Sequence, residues 1–468
     1  MIKPLRLDKL VAPLKGELHG REISFQRVST DTRSIQSGDL FVALKGDHFD
    51  AHNFLSDAVA AGATAVVVDR AIEGIDAPQL KVKDTTLALG DLARINRQMY
   101  TDPVIALTGS SGKTTVKEML ATLLSGAGRV HTTQGNLNNH IGVPQTLLAL
   151  DDTADFAVIE MGASGLGEID YLAGIAEPNV ALVNNILPAH LEGFGSERGV
   201  ADEKSSIYRK LREGGTAVIN LDEPYASQWR KELSETRVDV TQILFSAENP
   251  SADVYAKDIQ LTPAGGYRFV LCFGAEQEFV ELPLLGRQNV CNALAATACA
   301  LSVGLSLVSI AKQLQHVTAY KGRLVAKPGK RNSLIVDDTY NANPGSVMAA
   351  ANALMDLQVQ RHHAILVLGD LGELGANEAT ILSQLGKDLA AAGLSELYTQ
   401  GDNSALISAE FSKSTNANIK NTKHFLTQDE LAHHLSTLLT DNTVVLVKGS
   451  RGARMENVVQ AITLGGEQ

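Results

Sequence analysis

"PVIALTGSSGKTTVKEMLATLLSGAG", residues 103–128, decides how the rest of this 468-residue chain is read. A short apolar run, a turn of glycine and serine, and a helix-period stretch closed by glycine make a strand, a tight loop and a helix. In that context backbone N–H groups from Gly109 to Thr114, with the helix N-terminus, can surround phosphate oxygens. Lys113 adds a point charge and the Thr114 hydroxyl reaches Mg²⁺. The general loop G-x-x-x-x-G-K-[ST] asks for glycine five positions before Gly112, where this chain has Leu107. An ordinary helix-entry turn with an exposed lysine would also tolerate leucine there, but the strand before the turn and the helix after it favour a nucleotide.

On either side of this unit the pattern is α/β. "DFAVIEMG", "NVALVNNI" and "GGTAVINLD" read as buried strands, and "GRQNVCNALAATACALSVGL" as an alanine-rich helix. Strands alternating with helices imply a mostly parallel sheet covered on both faces. Before it, "ISFQRVSTDTR", "GDLFVALKG" and "DAVAAGATAVVVD" form a smaller α/β unit, followed by a helix capped by Asp84 or Thr85. "KPGKRNS" breaks the pattern again, and "LIVDDTYNANP", "HAILVLGDLGELG", "LSELYTQG" and "TVVLVKGSRGARM" follow as strands ending in polar or glycine-rich loops. At about 100–200 residues per domain the length fits three units, with expected bounds 1–83, 84–326 and 327–468. Ligands of open α/β sheets sit beyond the carboxyl ends of the strands, so these loops are candidate contacts.

Composition narrows the function. A net charge of −12 argues against nucleic acid and anionic membrane as partners, so a phosphate must be met by local donors. No apolar run reaches the roughly 18 residues of a membrane span, and the N-terminus lacks a signal-peptide pattern, so a cytoplasmic protein is expected. Cys272, Cys291 and Cys299 lack paired spacing and read as reduced thiols. Glu160, closing "DFAVIE" at a strand's carboxyl end, is placed for a metal contact or is an ordinary strand-end acid. His190 and Lys204 stand alone, and spacing singles out neither. No N-K-x-D guanine signature accompanies the loop, which weighs against a nucleotide switch.

The sequence resembles the Mur ligases and their folyl-polyglutamate synthetase relatives. "LTGSSGKTT" is similar to their shortened T-G-x-x-G-K-T loop, in which Leu107 is no lesion. Further matches follow in order: "STDTRSIQSGDLFVALKGDHFDAHNF", "GNLNNHIGVPQTLL", "VIEMGASGLGEI", "NNILPAHLEGFGS", "LLGRQNVCNALAA", "YKGRL", "DDTYNANPGS", "LGDLGELG" and "VLVKGSR". They are most like the branch that adds D-alanyl-D-alanine to UDP-N-acetylmuramoyl-tripeptide.

The resemblance implies three domains: a UDP-sugar-binding domain, a central ATP-binding domain like a P-loop fold, and a Rossmann-like C-terminal domain that takes the dipeptide and closes over ATP. It implies ATP and Mg²⁺ as cofactors, the two peptide substrates as small-molecule partners, and a monomer. Gly109, Ser110, Ser111, Gly112, Lys113, Thr114 and Thr115 match the ATP loop, Asn289 and Asn292 the adenine side, Arg323 a phosphate contact and Asp338 the ribose acid. Thr114 and Glu160 match one magnesium site. His190 and Lys204 match the second, Lys204 as a carbamate. Lys113, His190 and Lys204 are the catalytic set. Ser29, Thr30, Asp31, Arg33 and Lys45 fall in the uridine nucleotide region, Asn138 and Asn139 in the sugar-peptide region, and Asn341, Asn343 and Arg451 in the dipeptide region. Gln288 departs from the branch's G-R-H-N histidine, and Ala163-Ser164-Gly165 from its frequent Asn and His.

Overall fold

The computed structural model describes residues 1–188, 191–359, 361–414 and 421–465. Among them, three mixed sheets follow one another along the chain. The first runs, in spatial order, Glu17–His19, Gln79–Lys81, Ala63–Val68, Asp39–Val42 and Val28–Ser29, antiparallel only at its first pair. Helix Thr85–Met99 leaves it, capped by Asp84, whose carboxylate accepts from the amides of Thr86 and Leu87.

The nine-stranded central sheet runs Glu276–Leu282, Tyr267–Phe273, Val254–Leu261, Thr241–Ser246, Thr216–Asn220, Val180–Val183, Val104–Thr108, Phe156–Glu160 and Val130–Thr132. From Thr241–Ser246 to Val130–Thr132 the pairing is parallel, and the last three strands on the other side form an antiparallel extension. Strand Val104–Thr108 is buried on both faces: Val104 and Ala106 join one apolar core, Ile105 and Leu107 the other. Leu107 is therefore a core side chain of the strand, and the turn begins after it. Glycine there would remove a packed leucine and leave a cavity.

Helix Lys113–Ser125 buries Val116, Met119, Leu120, Leu123 and Leu124, the i, i+3, i+4 spacing of one face. It packs against the alanine-rich helix Gln288–Ser302, whose small side chains admit a close neighbour. The third sheet runs Val325–Pro328, Leu334–Asp338, Thr443–Lys448, His363–Leu368, Glu396–Gln400 and Asn421–Phe425, parallel after its first antiparallel pair. Lys327 and Pro328, read from sequence as part of a break, end the edge strand of this sheet, a position where proline's missing N–H costs no ladder bond. Cys272 and Cys299 are buried free thiols and Cys291 is half-buried. No helix among the described residues is long and apolar enough to cross a membrane.

Candidate active site

The turn after Val104–Thr108 is shaped from behind. The amide of Ser110 donates to the Asn185 carbonyl at 2.9 Å, and that of Ser111 to Asn185 Oδ1 at 2.8 Å. Ser110 Oγ donates to the Leu187 carbonyl and accepts from the Leu187 amide. The amides of Ser110 and Ser111, counted from sequence among the phosphate donors, are thus already engaged; the donors left to a phosphate are those at the helix start. Gly112 has φ of +76°, and a Cβ there would lie 2.6 Å from Asn292 Oδ1 and 2.7 Å from Asn184 Nδ2. Lys113 Nζ donates to the Gly109 carbonyl at 2.8 Å. Burial lowers its pKa, against the pull of Glu160.

Sheet register places Glu160 opposite Leu107, so its carboxylate emerges beside the start of the loop. Glu160 is 2% exposed. Its Oε1 lies 3.4 Å from Thr114 Oγ1 and accepts from Asn138 Nδ2 at 2.8 Å, while Oε2 is buried without a hydrogen-bond partner among the described residues. An orphaned buried carboxylate oxygen beside a hydroxyl is a hard-oxygen set of the kind Mg²⁺ takes. Asn139 Oδ1 accepts from the amides of Ile141 and Gly142, where helix Gly142–Ala149 begins.

Lys204 lies on helix Glu197–Arg209, which Ser196 caps. It is 2% exposed, with Nζ 5.8 Å from the Phe194 ring. Burial, with the charge of Lys113 added, pulls its pKa down to about 7. Its neighbour Glu203 accepts from the amides of Gly167 and Ile169, each at 2.7 Å, fixing the turn that follows Glu160. His190 lies outside the described residues.

Asn289, Asn292, Arg323, Asp338 and Thr115 meet around one crevice of about 70 Å³, which Gln288 also lines. A chain of amides ties it to the loop. Asn289 donates to the Leu285 carbonyl, Asn292 to Asn289 Oδ1, and Asn184 to both Asn292 Oδ1 and the Ser111 carbonyl. Asp338 is held by Lys448 Nζ at 2.7 Å, and Lys448 also donates to the Asn341 carbonyl at 2.8 Å. Arg323 stacks over Tyr340, its guanidinium carbon 4.3 Å from the ring centre. Asn184, Asn185 and Lys448 had no role assigned from sequence. The strand-end rule that selected Glu160 would have found them, because all three close or follow parallel strands.

Two larger cavities separate the central and C-terminal sheets. One, of about 550 Å³, reaches from Ser110 to Lys113 across to Asn341 and Asn343. The other, of about 810 Å³, holds Thr114, Asn138, Asn139, Glu160 and Arg451. Asn343 also caps helix Pro344–Gln358, and Arg451 pairs with Glu456 at 3.0 Å. Residues 29–45 line none of these cavities. There Ser29 is buried against the Asp31 carbonyl, Asp31 and the exposed Arg33 form an ion pair, Lys45 is exposed, and Thr30 accepts from Gln145 at 2.7 Å.

Family models match almost end to end: "Mur ligase family, catalytic domain" over residues 24–97, "Mur ligase middle domain" over 107–300 and "Mur ligase, glutamate ligase domain" over 322–451. The chain belongs to the Mur ligase family. It is 43% identical to the UDP-N-acetylmuramoyl-tripeptide–D-alanyl-D-alanine ligase of Escherichia coli (strain K12), with 98% of each chain covered. Its fold is similar to that of MurF from Acinetobacter baumannii, with a TM-score of 0.88, 37% identity and 98% of each chain covered. It is also similar to MurF ligase from Thermotoga maritima in complex with ADP, with a TM-score of 0.81, 28% identity, and 93% of this chain and 96% of that one covered. The three-sheet α/β architecture is that of these Mur ligases, as the loop and the motifs implied.

Proposed function

We infer that this chain is an ATP-dependent amide ligase that joins D-alanyl-D-alanine to UDP-N-acetylmuramoyl-tripeptide through an acyl phosphate, giving the UDP-MurNAc-pentapeptide, ADP and phosphate. The observation that carries the reading is the meeting of the Lys113 loop with Glu160 and Thr114 on one side and Arg323 and Asp338 on the other. It is supported by end-to-end similarity to ligases of that name.

A carboxylate is a poor acylating agent, and phosphorylation gives it a leaving group. Lys113 and Arg323 face the transferred phosphoryl group and stabilise its charge, a task that preorganised cations perform without reorganising. The asparagine chain from Asn289 through Asn292 and Asn184 fixes the adenine side relative to the loop, while Asp338, oriented by Lys448, receives the ribose. Thr114 and Glu160 hold Mg²⁺, with His190 and Lys204 at a second site. Mg²⁺ bound there neutralises charge on the phosphates. A buried amine with a pKa near 7 is substantially uncharged at neutral pH, the form that adds CO₂, and the resulting carbamate offers anionic oxygens. Residues 1–83 serve the UDP-sugar through Ser29, Thr30, Asp31, Arg33 and Lys45. Residues 84–326 serve ATP and, through Asn138 and Asn139, the sugar-peptide. Residues 327–468 serve the dipeptide through Asn341, Asn343 and Arg451 and close over ATP. The enzyme works as a cytoplasmic monomer.

Phosphate release with a panel of acceptors tests the reading. Turnover is expected with UDP-MurNAc-tripeptide plus D-Ala-D-Ala and not with single amino acids or with folate plus glutamate; no turnover with the named pair would overturn it. For Lys204, alanine substitution should abolish turnover and a short carboxylic acid should restore part of it; absence of any rescue removes the carbamate from the mechanism.

A further inference from the structure

Arg323 lines all three cavities, the crevice and the two larger spaces between the central and C-terminal sheets. A long, flexible cation in such a place must be held to be useful, and the usual holder is a carboxylate. Among the described residues no carboxylate lies within ion-pair reach of Arg323, and its Nε is buried without a hydrogen-bond partner. Its charge is felt nearby: burial lowers the pKa values of Lys113 and Lys448, and Arg323 lowers each further. What the guanidinium rests on is the ring of Tyr340, 4.3 Å from its carbon to the ring centre.

That ring is itself fixed. Tyr340 is half-buried and follows strand Leu334–Asp338 by two residues. Its amide donates to the Gly322 carbonyl at 3.1 Å, which brings the Arg323 turn against it. Gly322 has φ of +70°, and a Cβ there would lie 3.1 Å from the Tyr340 nitrogen, so the close approach requires glycine. The turn is closed by the Arg323 amide on the Tyr320 carbonyl at 2.9 Å, and pinned to the strand end by the Leu324 amide on Asp338 Oδ1 at 3.2 Å. On its other side Tyr340 meets the Tyr320 ring edge-on at 6.3 Å. Tyr320 in turn lies 5.6 Å from Nζ of Lys117, on the helix that follows the phosphate loop.

We infer that Tyr340 is the positioning residue of the phosphate-binding arginine: its ring sets the plane of the Arg323 guanidinium without neutralising it. This assignment rests on the ligase reading above. A carboxylate partner would also orient the side chain, but it would claim N–H donors and cancel the charge that a phosphoryl group needs. An aromatic face attracts the cation through its quadrupole and leaves the N–H donors, which lie in the guanidinium plane, free at its edge. Those donors then meet phosphoryl oxygens without reorganising.

Phosphate release by the full-length enzyme with ATP, Mg²⁺, UDP-MurNAc-tripeptide and D-Ala-D-Ala tests the assignment. Tyr340→Leu keeps an apolar side chain but no π-face, and should lower kcat about tenfold while the KM of each peptide substrate stays unchanged. Tyr340→Phe restores the face and should recover most of that loss. Arg323→Lys supplies a point charge with no plane to align, so in that background Tyr340→Leu should cost less than about twofold more. A role in packing alone would cost the same in both backgrounds. A wild-type kcat in Tyr340→Leu, a loss as large in Tyr340→Phe, an effect confined to a peptide KM, or additive losses in the double variant would each overturn the assignment. Lack of turnover by the wild-type enzyme would instead remove the ligase reading beneath it.

Discussion

The phosphate loop and residues 30–34 are both polar segments following short strands, and both match family motifs, yet their physics differs. In the loop the backbone is held by other groups: Gly112 lies under Asn184 and Asn292, Ser110 is locked to Leu187 by its hydroxyl, and Ser111 is gripped at its amide and its carbonyl by Asn185. In residues 30–34 Asp31 and Arg33 pair with each other in water. Arg33 is 88% exposed and contacts Asp31, two positions away. A site for charge transfer must be preorganised before its substrate arrives, whereas a handle for a distant nucleotide can be ordered by it.

The largest break in the comparison comes from Gly112→Ala. The added Cβ meets two buried, mutually hydrogen-bonded amides, and alanine resists a φ of +76°. Left-handed strain and a displaced hydrogen bond together cost about 2–3 kcal/mol, roughly 100-fold in ATP affinity. Titration calorimetry with a non-hydrolysable ATP analogue measures it, and unchanged affinity would mean the loop is as yielding as residues 30–34. Next in size is Asn184→Ala. It leaves Asn292 Oδ1 without the Asn184 donor and takes from the Ser111 carbonyl one of two donors, the other being Asn185, at about 1–2 kcal/mol, so the KM for ATP should rise roughly tenfold. A KM unchanged for ATP and raised for the tripeptide would assign Asn184 to the other substrate.

The same contrast governs what the sequence could say. Strand, loop and helix around Lys113 follow from local periodicity, so the central fold was legible, and so was Glu160 at its strand end. The strands Val254–Leu261, Tyr267–Phe273 and Glu276–Leu282 were not placed from sequence. They are an antiparallel extension with mixed burial, and their alternation carries no motif. Lys204 stayed invisible to spacing because its surroundings come from Phe194, Lys113 and Glu168, which only the fold assembles. Asn184 and Asn185 escaped because their partners are 73 and 74 positions away. Motif resemblance supplied what local pattern lacked, but not these supports.

A smaller effect is expected in the exposed stretch. Arg33→Ala removes a two-residue ion pair in solvent and should leave the melting temperature unchanged, since such pairs contribute little to stability. If Arg33 meets the uridine nucleotide, the KM for the UDP substrate rises several-fold and that for ATP does not move. A drop in melting temperature would show this stretch to be as structurally committed as the loop.

A last effect sits on the support behind the loop. Glu223 follows strand Thr216–Asn220 and accepts from the Ile186 amide at 3.1 Å, one residue beyond the asparagine that shapes the turn. Burial, with Glu197 and Asp222 adding, raises its carboxyl from the ordinary 4.5 to about 7, while the Ile186 N–H pulls the other way. The folded protein therefore binds this proton more tightly than the unfolded chain does, and stability is lost as pH rises from about 4.5 to about 7. Glu223→Gln keeps an oxygen for Ile186 and carries no charge to desolvate. It should melt above wild type at pH 8 and lose that advantage at pH 5, in scans of both proteins in matched buffers. An advantage of equal size at both pH values would mean that the buried charge costs the fold nothing. The loop's rear support would then resemble the solvated pair of Asp31 and Arg33.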